Sequence, residues 1–370
     1  MNRKPIMSLV QKRRKTRQIR VGNVPVGSDA PVSVQSMTNT QTRDVTATVR
    51  QINRLAAAGC EIIRVAVPEM ADALAIRQIK AQVTIPVIAD IHFDFRLALA
   101  AAESGADALR INPGNIGAHH KVKKVVDCAK AHDISIRIGV NAGSLEKEIA
   151  QRLGATSEAM VESGLANIRI LEDLGFYDIK VSLKASDVAR TVAAYQLLAQ
   201  KTDVPFHVGI TEAGGLYAGI TKSAIGIGML LSRGLGDTIR VSLTRDPVEE
   251  IRTGYEILRA LGLRNRGPEI ISCPTCGRCR IDLFKIAQDV EKALLGRDSQ
   301  IKVAIMGCVV NGPGEAKEAD IGIAGADGTG IIFKKGRVCK KVDQDQLVAH
   351  LLYEIDKMTQ NAEDVNGSKE

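Results

Sequence analysis

Residues 62–91 read IIRVAVPEMADALAIRQIKAQVTIPVIADI, and this stretch indicates the fold of the longer segment around it. An apolar, β-branched run, an amphipathic helical pattern and a second apolar run follow one another, which is typical of a strand–helix–strand unit. Eight such runs alternate with eight helical patterns between residues 32 and 262, and this number predicts a (β/α)8 TIM-like barrel. A doubly wound open sheet shares the alternation, but no G-x-G-x-x-G motif follows the first run. The runs cover residues 32–37, 62–67, 86–91, 108–113, 134–140, 178–185, 206–211 and 238–243.

Composition narrows the classes of function. The chain has 370 residues, of which 45% are hydrophobic and 25% are charged, so it is long and apolar enough for two folded domains. Aromatic residues make up 3% and Trp is absent, which argues against a surface that stacks nucleic-acid bases. The net charge of +8 is compatible with a polyanionic small substrate. Seven cysteines without a secretion signal or a long apolar run predict a cytoplasmic protein, with no membrane span and no disulfide framework.

Four regions follow from these patterns. Residues 1–31 form an N-terminal segment, and its part 18–31 predicts a short hairpin that closes the base of the barrel. Residues 32–264 form the barrel, which is expected to bind the substrate. Residues 270–358 hold fewer elements and predict a small α+β domain that carries a metal centre. The polar residues 359–370 predict a disordered tail.

A basic side chain occupies a matching position on five of the predicted barrel strands. Barrel strands are covered on both faces, so a charge there is costly unless it is paired. An acidic partner accounts for any single base, whereas five together predict a positive well beneath the C-terminal face, where barrel enzymes keep their active sites. Gly- and Asn-rich loops such as 112–115 present N–H groups to phosphate oxygens, which favours a phosphorylated substrate. The five bases are Arg64, Arg110, Arg137, Lys180 and Arg240.

Three cysteines of the C-terminal region have the spacing of a metal site. Cys273 and Cys276 form a C-x-x-C motif, and Cys308 lies in the Gly/Pro-rich stretch GCVVNGPGE, which ends in Glu315. Zinc and iron–sulfur centres both use such spacing, so both stay open on this pattern. Cys279 extends the motif to C-x-x-C-x-x-C. We expect a spare thiol there, and a fourth thiolate ligand is the alternative.

Eight short motifs spread along the chain can be compared with known families. They are SVQSMTNT (33–40), ADIHFD (89–94), RINPGN (110–115), RIGVNAGSL (137–145), LKASD (183–187), GITEAG (209–214), SCPTCGR (272–278) and GCVVNGPGE (307–315). With these motifs the chain resembles the 4-hydroxy-3-methylbut-2-enyl diphosphate synthases of the non-mevalonate isoprenoid pathway, from about Arg13 to Tyr353. The resemblance implies a barrel followed by an iron–sulfur domain.

The resemblance also implies an oxidoreductase and its site. The reaction is the reductive ring opening and dehydration of 2-C-methyl-D-erythritol 2,4-cyclodiphosphate, with ferredoxin or flavodoxin as electron donor. A [4Fe-4S] cluster is then held by Cys273, Cys276, Cys308 and Glu315. We hypothesise that Glu315 leaves the iron when substrate binds, and that Glu212, the implied acidic catalytic residue, protonates the departing hydroxyl. The implied diphosphate contacts are Arg64, His92, Arg110, Arg137, Asn141, Lys184 and Ser242, whereas Lys180 and Arg240 depend on the strand pattern alone.

The linker near residues 263–269 favours a homodimer. The eighth barrel helix returns to the base, so about seven linker residues, spanning at most roughly 25 Å, begin on the face opposite the site. The cluster domain therefore caps the barrel of a partner more easily than its own, and the resemblance implies a head-to-tail homodimer. Two other functions stay open: a basic nucleic-acid-binding protein with a structural zinc domain, and a barrel phosphate-ester enzyme of the pterin-synthase type with a structural metal domain.

Overall fold

The computed structural model describes residues 9–309 and 316–367, with side chains as far as residue 360. The chain divides into two compact units, Met1–Arg264 and Asn265–Glu370. Glu315, a cluster ligand implied by the resemblance, lies outside the described residues.

The described part of the first unit holds a barrel of eight parallel strands and a hairpin. Its strands are β1 (Ile19–Val21) and β2 (Val24–Val26) of the hairpin, then β3 (Ser33–Met37), β4 (Ile62–Ala66), β5 (Val87–Asp90), β6 (Ala108–Ile111), β7 (Ser135–Asn141), β8 (Ile179–Lys184), β9 (His207–Val208) and β10 (Thr238–Ile239) of the barrel. The spatial order is β8-β7-β6-β5-β4-β3-β10-β9, and a single bridge between Val181 and Phe206 joins β8 to β9. The ring is therefore closed, which confirms the predicted barrel and excludes the open sheet.

Helices alternate with the barrel strands, and an aspartate N-cap begins several of these helices. Asp94 accepts a hydrogen bond from the amide of Arg96 at 2.9 Å, which satisfies one of the free N–H groups of a helix start. Asp44, Asp187 and Asp246 cap three other helices in the same way. The helices are α1 (Val45–Ala57), α2 (Met70–Lys80), α3 (Phe95–Glu103), α4 (Pro113–Ile116), α5 (His119–Ala131), α6 (Lys147–Leu153), α7 (Ser157–Asp173), α8 (Val188–Ala199), α9 (Leu216–Ser232) and α10 (Pro247–Ala260).

Alternate residues of each barrel strand face opposite sides of the wall, because the strand is pleated. Ile63 and Val65 of β4 are fully buried in the apolar layer between strands and helices. Arg64, between them, is also buried but belongs to the inner face. The predicted basic position therefore lies inside the barrel.

The hairpin β1–β2 covers the base of the barrel. Its strands pair in an antiparallel register from Ile19 opposite Val26 to Val21 opposite Val24. Gly22 has φ +56° in the two-residue turn, a left-handed conformation that glycine adopts without strain. The apolar face of the hairpin packs on buried residues near the starts of β4, β5 and β6, namely Ile62, Ile88 and Ala108. The hairpin therefore covers the starts of these strands.

The second unit is a small α+β domain, also as predicted. Its strands are β11 (Glu269–Ser272), β12 (Lys302–Met306), β13 (Ile321–Ala326), β14 (Thr329–Lys334) and β15 (Arg337–Asp343), and its helices are α11 (Leu283–Leu294) and α12 (Leu347–Gly367). The first three strands are parallel and the last two are antiparallel to their neighbours in turn. Both helices contribute side chains to the core over the sheet, for example Val290 and Leu351.

The prediction of a disordered tail from residue 359 is wrong for the part of it that the structure describes. Helix α12 continues to Gly367, because its packed first turns provide a nucleus from which further helical residues add at little cost. None of the described helices is both long enough and apolar enough to cross a membrane.

Candidate active site

The basic side chains of neighbouring barrel strands converge inside the ring. Arg110 of β6 is in register with Arg137 of β7, which is in register with Lys180 of β8. Arg137 is 2% exposed and Lys180 is 0% exposed. Arg64 and Lys184 are buried on the same inner face. Five cations thus share one small interior.

Two buried carboxylates neutralise part of this charge. Asp90 lies 3.1 Å from Nη1 of Arg110 and 3.5 Å from Nε of Arg64. Burial opposes ionisation of Asp90, but Arg64, His92 and Arg110 together lower the pKa of this carboxyl below its ordinary range. Burial also lowers the pKa of Arg64 to about 10, although Asp90 opposes the shift. Arg64 of β4 and Arg110 of β6 are therefore both paired with Asp90.

Glu250 of α10 is the second buried carboxylate. Its Oε1 lies 3.4 Å from Nη2 of Arg240 and accepts a hydrogen bond from the amide of Leu243 at 3.0 Å. Its Oε2 accepts one from Oγ of Ser36 at 3.1 Å. Glu250 therefore links Arg240, which follows β10, to the neighbouring strand β3.

The remaining bases have no acidic partner of this kind. Nε and Nη1 of Arg137, and Nζ of Lys180, have no hydrogen-bond partner among the described residues. Burial lowers the pKa of Lys180 to about 7, with Arg137 and Arg64 adding to the shift. Burial and the same arginine of β7 also lower the pKa of Lys184. A buried cation without a counter-ion is costly, so this interior favours an anionic ligand.

His207 of β9 lies beside the cations, and the sequence patterns did not identify it as a site residue. It is fully buried, its Nε2 lies 3.4 Å from Nζ of Lys184, and its Nδ1 has no partner in the described chain. Burial, with Arg137 and Lys184 nearby, lowers its pKa, which favours the neutral ring. The available signal was strand parity, because His207 lies two residues before the inward Gly209.

Two glycines make room for the cations. A Cβ on Gly139 of β7 would overlap the guanidinium of Arg110. A Cβ on Gly209 would overlap the carbonyl oxygen of Arg240 and lie 3.2 Å from Nζ of Lys184. Larger residues at these positions would displace the bases that they adjoin.

The residues at the mouth are more exposed. The side chain of His92 is 53% exposed, and its Nε2 lies 3.1 Å from Nη1 of Arg110 and 3.6 Å from Oδ1 of Asp90. Asn141 at the end of β7 and Ser242 after β10 are half-buried. Glu212 is exposed in the loop between β9 and α9, with φ +51°. All these positions lie at or beyond the C-terminal ends of their strands.

The loop 112–115 does not offer the free amides expected from its composition. The amide of Gly114 donates to Oδ1 of Asn112 at 3.1 Å and to Oδ1 of Asn167 at 2.9 Å. The amide of Asn115 donates to the carbonyl of Asn112 at 2.9 Å. Asn112 is the N-cap of α4, so these N–H groups are used internally and the prediction is wrong for this loop.

The cysteines of the second unit lie near one edge of its sheet. β11 and β12 are adjacent and parallel, so Cys273 after β11 and Cys308 after β12 leave the sheet at the same edge. The amide of Gly307 donates to Sγ of Cys273 at 3.2 Å. Cys276 is exposed. Among the described residues, no three His, Cys, Asp or Glu side chains are close enough together to hold a metal ion.

Two further thiols lie in structural positions. Sγ of Cys279 donates to the carbonyl of Ile281 at 3.2 Å, and the side chain packs against the core of the second unit. Cys60 is buried in the barrel wall, and burial raises its pKa to about 12, so it stays a thiol.

Comparison with known proteins covers both units. A family model described as the GcpE TIM-barrel domain matches residues 16–255, and one described as the GcpE protein C-terminal domain matches residues 269–357. The 4-hydroxy-3-methylbut-2-en-1-yl diphosphate synthase (flavodoxin) of Geobacter sulfurreducens is 61% identical over 345 residues, which are 93% of this chain and 98% of that protein. The protein of the same name from Caldanaerobacter subterraneus is 59% identical over 351 residues, covering 95% and 99%. Among solved structures, a dihydropteroate synthase from Stenotrophomonas maltophilia has a TM-score of 0.49 at 14% identity, covering 67% of this chain and 98% of that one.

Proposed function

The chain belongs to the GcpE family, and on that premise we propose that it converts 2-C-methyl-D-erythritol 2,4-cyclodiphosphate to 4-hydroxy-3-methylbut-2-enyl diphosphate. The observation that carries this proposal is the 61% identity over 345 residues to a curated synthase that is matched along 98% of its length. The buried bases support it independently, because they suit an anion with several charges.

The reaction defines what the protein must supply. Two C–O bonds of the substrate break, one C=C bond forms, and one water leaves for every two electrons and two protons taken up. The chain therefore needs an electron source, a proton donor and a charged pocket for the diphosphate. The curated relatives carry flavodoxin in their name, which supports flavodoxin as the electron donor, with ferredoxin as the alternative.

We assign the electron-carrying group, a [4Fe-4S] cluster, to Cys273, Cys276 and Cys308, with Glu315 as the fourth ligand. The residues present fit this assignment. Thiolates are the usual ligands of cluster iron, and the amide that donates to Sγ of Cys273 is of the kind that tunes such sulfurs. When bound, the cluster supplies electrons one at a time. The role of Glu315 as the exchangeable oxygen ligand rests on the resemblance.

The barrel residues have the remaining tasks. Arg137 and Lys184, for which the described residues provide no carboxylate partner, are the strongest candidates to hold the diphosphate. Arg64 and Arg110 add their charge beside Asp90, and His92 borders them at the mouth. Asn141 and Ser242 offer neutral hydrogen bonds at the strand ends. Glu212, in the exposed loop, is proposed to protonate the departing hydroxyl.

The nucleic-acid-binding alternative gains no support from the geometry. A nucleic-acid-binding surface needs exposed Lys and Arg side chains, whereas the basic side chains singled out in the sequence are mostly buried inside the barrel.

We also propose a cytoplasmic location and a homodimer in which the cluster domain of one chain caps the barrel of the other. Mixing a Cys308→Ser chain with a Glu212→Gln chain tests the dimer, because sharing restores activity and separate sites do not.

One experiment tests the function directly. Protein purified without oxygen should be brown, contain about four irons per chain and consume the cyclic diphosphate with reduced flavodoxin. A Glu212→Gln variant should keep the iron and lose turnover. Colourless protein that contains zinc and leaves the substrate unchanged would overturn the proposal.

A further inference from the structure

Lys180 is a fully buried lysine that no part of the proposed reaction uses. It lies on β8, four residues before Lys184 and on the same inner face, so it is farther from the mouth of the barrel. Its backbone neighbour across the sheet is Arg137. Its Nζ has no hydrogen-bond partner among the described residues. Lys180 is therefore deeper in the barrel than Lys184, at the register position of Arg137.

The charges around Lys180 do not balance. Asp90 is shared by Arg64 and Arg110, and Glu250 is used by Arg240. Asp237, the remaining nearby carboxylate, lies 2.5 Å from Nη2 of Arg13 and accepts from the amide of Phe206 at 2.7 Å. Arg137 of β7, Arg64 of β4 and Asp237 beside β10 act on the charge of Lys180, which in turn acts on His207 of β9 together with Lys184 of its own strand. Arg110 of β6, Asp90 of β5 and Arg240 after β10 surround the neighbouring Arg137.

An empty pocket therefore favours loss of a proton, and lysine is the group that loses it. Guanidinium groups have an intrinsic pKa above about 12 and keep their charge. Burial, reinforced by Arg137 and Arg64, lowers the pKa of Lys180 to about 7. A diphosphate bound above these bases adds several negative charges and restores the proton affinity of the amine. The protonation state of Lys180 then depends on occupancy of the pocket.

The barrel interior also has buried polar atoms that water can occupy. The Oγ atoms of Ser33 and Ser135, both side-chain polar atoms of Gln35, and Oγ1 of Thr238 are buried and have no partner in the described chain. They belong to the barrel strands or adjoin them. Buried polar atoms of this kind are commonly satisfied by ordered water. Ser33, Ser135 and Thr238 are the first residues of β3, β7 and β10, so water on these atoms would hydrate the barrel interior near its base.

We propose that Lys180 takes up a proton from solvent when the doubly phosphorylated substrate binds, so that the charge of the pocket adjusts to its ligand. The step is a simple protonation of the amine to the ammonium, and no bond to substrate forms. Lys180 is thus a positioning residue that acts through the electrostatic field of Arg137 and Lys184. This inference depends on the proposed function, because it needs a substrate with two phosphates.

Titration calorimetry on the anaerobic, cluster-loaded protein without reductant tests the coupling, because no turnover occurs. Substrate is titrated at pH 8 in two buffers of high and low ionisation enthalpy, and again at pH 6. At pH 8 the dependence on buffer should correspond to on the order of one proton taken up per substrate, and at pH 6 to a small fraction of one. Binding with equal enthalpy in both buffers at pH 8 would overturn the inference. Absence of saturable binding would instead count against the proposed function.

Two variants assign the proton to its residue. Lys180→Met should still bind substrate but lose most of the proton uptake at pH 8, and its log Kd should vary less with pH between 7 and 9. Lys201→Met, at an exposed surface lysine, should behave as the unchanged protein does. Undiminished uptake in Lys180→Met would show that another group takes the proton and would refute the assignment. Should Lys180→Met fail to fold by circular dichroism, the two-buffer comparison on the unchanged protein decides the question.

Discussion

Replacing Lys180 with methionine should stabilise the substrate-free protein, and the gain should shrink as the pH rises. Methionine has a similar length and fills the same space without a charge. The lysine has no hydrogen-bond partner among the described residues, so the substitution removes a buried, uncompensated amine and leaves no stranded acceptor behind. Most core substitutions destabilise a protein, which makes this direction a sharp expectation.

The magnitude follows from the pKa of this lysine. Burial, with Arg137 and Arg64 nearby, lowers it from 10.5 to about 7. At about 1.4 kcal/mol per unit, the folded protein carries a penalty of about 5 kcal/mol below pH 7, and relaxation and water entry make this an upper bound. Between pH 7 and 10.5 the unfolded chain binds more protons than the folded one, so stability rises with pH and the penalty fades. The gain in Lys180→Met should therefore fall by about 2–3 kcal/mol between pH 6 and pH 9.

Urea unfolding of the two proteins at pH 6 and pH 9, without oxygen and without substrate, measures this difference. The slope with urea should be the same for both proteins, so that the midpoints report stability. Lys201→Met, at an exposed site, should show no gain at either pH. A variant that is less stable than the unchanged protein at pH 6, or a gain independent of pH, would show that Lys180 is a satisfied cation and refute the reasoning.

Three further predictions concern other parts of the chain. Gly139→Ala should weaken substrate binding at least about tenfold, because the new Cβ displaces the guanidinium of Arg110. Gly228→Ala, where a Cβ meets nothing within 4 Å, is the control. Equal affinities of the two variants, measured by calorimetry, would contradict the prediction. Cys279→Ser should keep its iron and its turnover, since its Sγ is bonded to a backbone carbonyl, and loss of iron on analysis would instead make it a ligand. Val21→Ala should cost about 1–3 kcal/mol in urea unfolding, because this fully buried side chain seals the barrel base, whereas an unchanged midpoint would mean that the hairpin adds no stability.

Much of the barrel was predictable because its strands are buried on both faces and stand out as apolar runs. Six of the eight strands match their predicted ranges within about two residues at either end, as is usual for such boundaries. β9 and β10 have only two residues each, where six were predicted. Close backbone approach explains this in part, since Gly209 lies against the carbonyl of Arg240 beyond the two short ladders.

The candidate site was less predictable, because pairing and backbone conformation decide it. The strand pattern placed Arg64 and Arg137 on one inner face. It did not show that Asp90 pairs with Arg64 but leaves Arg137 without a partner among the described residues. His207 has the parity of Gly209 on the predicted strand 206–211, but parity alone does not separate a histidine beside the cations from a core histidine. Composition likewise suggested free amides at Gly114, whereas an asparagine cap uses them. These features depend on three-dimensional contacts that no local pattern encodes.

The hairpin β1–β2 gives the barrel a single entrance. Apolar side chains of the hairpin cover Ile62, Ile88 and Ala108, so the barrel interior is closed at this end. Molecules that reach the bases by way of the barrel axis must use the rim formed by the loops, and they must leave by the same route. The product therefore has to clear this rim before another substrate can enter, so departure and arrival compete for one opening.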